Sequence, residues 1–77
     1  MSPVNHDRLI QLGLTISTLR KYCGLSQEQL AECASVSRSL ISSIEALGLA
    51  KSFSLEVFYN IADALDIAPE KLMNALT

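Results

Sequence analysis

From Leu25 to Glu45 the chain reads L-S-Q-E-Q-L-A-E-C-A-S-V-S-R-S-L-I-S-S-I-E. Two helix starts are written into it. Ser26 with Gln29 three residues on is a capping box, in which each side chain satisfies the other's backbone N–H. Ser37 is a second N-cap, ahead of Arg38. Leu30 and Ala31 mark the inward face of the first helix, which Ala34 closes. Leu40, Ile41 and Ile44 form the apolar stripe of the second, which the spacing carries to about Leu47. Ser35-Val36 is all that lies between them. Two helices of about eight residues joined by so tight a turn cannot lie antiparallel and must cross steeply. Ala31 is small where they meet, and Val36, Ile41 and Ile44 fill the wedge.

Upstream, Leu9, Leu12, Ile16 and Leu19 recur at steps of three and four, which predicts a helix over Asn5 to Tyr22. Gly13 inside it costs about 1 kcal/mol against alanine unless another backbone comes close there. Gly24 ends the helix, because it accepts positive φ without a Cβ clash. Downstream, Gly48 to Ser52 is a loop, and Ser54 caps a fourth helix running from Leu55 to about Leu65. Leu55, Phe58, Ile61, Ala62 and Leu65 are its expected inward residues. Pro69 opens a fifth helix, where its missing N–H has no partner to lose. The expectation is an all-α, compact five-helix domain. It spans 1–77 as one unit, with the two crossing helices at about 26–47 and the last two at about 54–77.

The composition agrees. The chain has 77 residues, of which 49% are hydrophobic and 18% charged, so it can hold a core and is not disordered. It is too short for an elaborate active site, and its apolar runs are too short for a membrane span. The N-terminus lacks the basic start and apolar run of a signal peptide, which points to the cytosol. Cys23 and Cys33 have no C-x-x-C spacing, and with one histidine, His6, they cannot complete a zinc set. Cys23 fits a core position and Cys33 an exposed one. Nothing here implies catalysis, a cofactor or a metal.

The charges are few but unevenly placed. The net charge is −2. Residues 1–52 carry five positive charges (Arg8, Arg20, Lys21, Arg38, Lys51) against four negative ones, while residues 53–77 carry one against four. The first 52 residues are therefore net +1 and the last 25 net −3, so half of the eight acids fall in the last part of the chain.

The whole pattern resembles the helix-turn-helix of the phage-repressor and Cro-like family, also called the xenobiotic-response-element family. Arg20 stands upstream, L-S-Q-E-Q-L-A follows, then V-S, then I-S-x-I-E, and I-A-D-A-L-D-I closes the match from Ile61 to Ile67. The resemblance spans residues 9 to 76. It implies a lambda-repressor-like fold that binds an operator in double-stranded DNA, usually as a dimer. It departs from the family at Ser35, where glycine is usual and where serine must take the left-handed conformation. The loop after Glu45 is also longer than usual and lacks the common proline.

In that frame the helix from Arg38 is the recognition helix, with its first half in the major groove. Arg38, Ser39, Ser42 and Ser43 project from its apolar stripe as base contacts, Arg38 with a fork suited to guanine O6 and N7. Gln27, at the positive end of the preceding helix, resembles the family's phosphate clamp. Ser37, Lys21 and Lys51 are further phosphate contacts. Arg20 and Glu45 look like the family's structural ion pair, orienting the recognition helix. Pro69, Leu72, Met73 and Leu76 crowd four apolar residues into the last nine. With Ile67, and with Tyr59 beside them, they are expected to form a homodimer interface across a two-fold axis. The function implied is a small bacterial or phage repressor or controller acting on a palindromic operator. The alternative is a protein-interaction module of the same fold, antitoxin-like or an adaptor, with weak or no DNA binding. The low basic count favours that alternative.

Overall fold

The computed structural model describes residues 3–46 and 49–74, with Pro3 and Val4 described by their backbone. Five helices follow one another: α1 (Pro3–Tyr22), α2 (Gln27–Ala34), α3 (Arg38–Glu45), α4 (Leu55–Ala64) and α5 (Pro69–Asn74). α2 packs against both α3 and α4, α1 lies across α3, and α5 folds back on α4. All five share one core. Leu12 and Ile16 enter it from α1, Leu30, Ala31 and Ala34 from α2, and Ile41 and Ile44 from α3. Phe58, Ile61, Ala62 and Leu65 come from α4 and its end, and Leu72 from α5. The all-α expectation holds.

Each helix from α2 to α4 starts on a serine. Ser26 Oγ accepts the Gln29 N–H at 3.0 Å and Gln29 Oε1 accepts the Ser26 N–H at 2.8 Å, which completes the capping box. Ser37 Oγ accepts the Leu40 N–H at 3.1 Å, and Ser54 Oγ accepts the Val57 N–H at 3.2 Å. Such caps are worth about 1 kcal/mol each.

The helix ends repeat one device. Gly24, Ser35 and Asp66 all have positive φ, at 75°, 57° and 56°. After each comes an apolar residue, Leu25, Val36 or Ile67, that packs on the core. The N–H of that residue bonds back to a carbonyl five residues earlier: Leu25 to Arg20, Val36 to Ala31, and Ile67 to Ala62. These are three Schellman motifs, which satisfy carbonyls that the helix end leaves open. Only Gly24 takes the left-handed position without a Cβ. Ser35→Gly is therefore expected to raise stability by up to about 1 kcal/mol, as relief of the left-handed strain outweighs the extra flexibility of the unfolded chain. Chemical denaturation reads this directly, and a midpoint that falls contradicts it.

Gly13 answers the question its sequence position poses. A Cβ built there would overlap the backbone carbonyl oxygen of Ile44. The glycine is the point at which α1 and α3 touch backbone to backbone.

Three expectations need correction. Leu55 is not an inward residue but 62% exposed, since it sits at the first position of α4, before the helix has turned its apolar face to the core. Cys23 is exposed rather than buried. It lies just past the end of α1, with its Sγ 3.8 Å from the Leu65 carbonyl oxygen. Leu72, expected at a dimer interface, is fully buried inside this chain. It is the residue by which the short α5 holds to α4, so it has no surface to offer a partner.

Candidate nucleic-acid interface

α3 is seated by its apolar stripe. Ile41 and Ile44 are buried and Leu40 packs at the core edge. The rest of its surface is therefore set. Arg38, Ser39 and Ser42 are exposed and Ser43 is half-buried. This outer face has one cation, three hydroxyls and no acid, and hydroxyls and guanidinium together suit base edges and phosphates. Ser37 is exposed as well. Its oxygen is engaged by the Leu40 N–H, which leaves the hydroxyl hydrogen for an outside acceptor. Lys21, at the last turn of α1, and Lys51, in the segment before α4, are both exposed.

The far end of α3 is tied down by charge. Arg20 Nε donates to Glu45 Oε2 at 2.8 Å and Nη2 donates to Glu45 Oε1 at 2.9 Å, a two-pronged pair. Arg20 Nη1 donates to the Leu25 carbonyl oxygen at 2.6 Å. The Arg20 side chain is 10% exposed and that of Glu45 4%. The Arg20 pKa is raised above its ordinary value. The hydrogen bond to Glu45 is the main cause and its charge adds to it, against the opposing effect of burial. A raised cation pKa stabilises at every pH below the unfolded value and is lost only in strong alkali, so this pair adds no pH dependence from the arginine side near neutrality.

Gln27 is half-buried at the start of α2, and its Nε2 donates to Glu45 Oε1 at 3.2 Å. The sequence alone does not reveal this bond. Glu45 thus takes three hydrogen bonds from two other helices. Gln27 sits where a phosphate clamp is expected, with part of its amide committed inward.

Of the residues expected at a dimer interface, Ile67 and Pro69 are half-buried and Met73 is 47% exposed. Tyr59 is exposed on α4. Leu76 lies outside the described residues. An apolar groove of about 280 Å³ runs beside Met73, lined by Leu9, Leu12, Phe53, Leu55 and Phe58 with Ser52 and Ser54. No helix among the described residues is long and apolar enough to cross a membrane.

The comparisons with known proteins agree with this geometry. A family model for a helix-turn-helix domain matches residues 11–76. The crystal structure of the restriction-modification controller protein C.AhdI from Aeromonas hydrophila is similar, with a TM-score of 0.76 and 38% sequence identity over 83% of this chain and 94% of that one. No curated protein matches. The chain belongs to the helix-turn-helix DNA-binding family, in its phage-repressor and Cro-like form, and is a small DNA-binding transcription regulator.

Proposed function

We propose that the protein acts in the bacterial cytosol as a homodimer on a palindromic operator, with α3 of each copy in the major groove. One observation carries the reading. The exposed face of α3 offers Arg38, Ser39 and Ser42 without an acid, on a helix fixed at its far end by a buried ion pair. Arg38 reads a base, and Ser39, Ser42 and Ser43 add contacts that discriminate less. Gln27, Ser37, Lys21 and Lys51 hold phosphates and set the register. The likeness to a restriction-modification controller supports a controller role for this chain too.

The dimer follows from the same requirement. A single short helix reads too few base pairs for a unique site, and two copies of α3 about 34 Å apart reach successive turns of the groove. Met73, Ile67, Pro69 and Tyr59 supply the apolar surface that remains once Leu72 is assigned to the core.

The test is binding to duplex DNA across a range of salt concentrations. Four exposed cations per subunit lie in the first two-thirds of the chain: Arg8, Lys21, Arg38 and Lys51. A dimer would neutralise about eight phosphates through them, so log K against log salt should fall with a slope no steeper than about −7. Sedimentation of the complex should show two chains per duplex. One chain per duplex overturns the dimer, and binding that ignores salt overturns the phosphate contacts.

A further inference from the structure

We propose that Glu45 is a positioning residue for DNA binding, its carboxylate fixing the orientation of the Gln27 amide. The proposal rests on the reading of Gln27 as a phosphate contact and adds what holds it in place. A glutamine amide has a donor end and an acceptor end of nearly the same shape. Left alone at a helix start, it turns either end outward. Here Nε2 lies 3.2 Å from Glu45 Oε1. The reverse orientation would set the amide oxygen against a carboxylate oxygen, two acceptors with no proton between them. A charged acceptor therefore selects one orientation.

The consequence is a defined outward donor. One N–H of Nε2 is taken by Glu45, and the second is the side chain's remaining donor. It joins the backbone N–H groups of Gln27 and Glu28, which the first turn of a helix leaves without internal partners. The Gln29 N–H is already held by Ser26. Glu45 is itself locked by both prongs of Arg20. The chain Arg20–Glu45–Gln27 thus joins the end of α1, the end of α3 and the start of α2. The phosphate contact on α2 and the base-reading face on α3 are held in one register by a single carboxylate.

Two measurements test this. In the amide spectrum of the free protein, the side-chain NH₂ groups of Gln11 and Gln29 serve as references. One Gln27 Hε2 proton is expected downfield of theirs and slower to exchange with solvent. Gln27 protons that match the references overturn the proposal, and this test needs no variant to fold.

The second measurement is affinity for one fixed duplex at one salt concentration. Gln27→Ala is compared in the wild type and in the paired variant Arg20→Met with Glu45→Leu, which removes both charges together and strands neither. Gln27→Ala should weaken binding about ten- to hundredfold in the wild type, the value of one hydrogen bond to a charged group. In the paired variant it should cost less than about twofold. A carboxylate that merely stabilises the fold would leave the two factors equal, and equal factors on a wild type that binds overturn the positioning alone. A wild type that binds no duplex overturns the DNA reading and this inference with it.

Discussion

Glu45→Ala is expected to cost about 3–5 kcal/mol of folding stability. The size comes from what is left behind. Arg20 loses both bonds to its partner and keeps only the Leu25 carbonyl oxygen, at a position where its side chain is 10% exposed in the intact protein. A cation in that position has neither water nor a counter-charge. Gln27 loses its inward acceptor at the same time. Small domains hold only about 5–15 kcal/mol in all, so the variant should sit near the edge of folding. Urea titration reads the loss. A shift below about 1 kcal/mol would place the pair among exposed, weakly coupled charges. Replacing Arg20 with methionine and Glu45 with leucine together should cost much less, because an apolar pair leaves no stranded charge. The pair's value therefore lies in where it sets α3 more than in net stability.

Gly13→Ala is expected to destabilise by about 2–3 kcal/mol, against the ordinary preference of a helix for alanine. Propensity alone predicts a gain of about 1 kcal/mol at an interior position. The added methyl would overlap the Ile44 carbonyl oxygen, and that oxygen belongs to backbone that cannot rotate aside. α1 and α3 must separate, which loosens Ile16, Ile41 and Ile44 in the core they share. The shift should also weaken DNA binding, since α3 is the helix displaced. A thermal melt reads the sign of the net effect on stability. A higher melting temperature in Gly13→Ala would mean that the helices do not approach so closely.

The sequence is most informative where one residue type has one physical use. A serine followed by glutamine three residues on has little to do but cap, and Ser26–Gln29 does so. The stripe of Ile41 and Ile44 has one way to be buried. Residues with two uses are harder to read. Leu72 suits a core or an interface equally, and only the packing of α5 on α4 assigns it to the core. Leu55 and Cys23 stand at helix ends, where a short element does not yet fix which way a side chain faces. Asp66 reads as a plain connector, yet it takes the left-handed position that Gly24 and Ser35 also hold. An acid between Leu65 and Ile67 was the available signal, since aspartate tolerates that conformation better than most. The bond between Gln27 and Glu45 joins residues far apart in sequence, and no local pattern announces it.

The proposed reading of DNA sequence by α3 stands or falls on Arg38. The direct measurement is the affinity of wild type and Arg38→Ala for a selected operator and for a random duplex, each at several salt concentrations. If the guanidinium forks onto a guanine, Arg38→Ala should lose about 1–3 kcal/mol on the operator and far less on random DNA. If Arg38 touches only phosphate, both affinities fall together and the salt slope shrinks by about 1 for each phosphate no longer neutralised. Lys21 and Lys51 variants should follow that second pattern and serve as the reference for it. An operator preference that survives Arg38→Ala unchanged would contradict a sequence-reading role for this side chain.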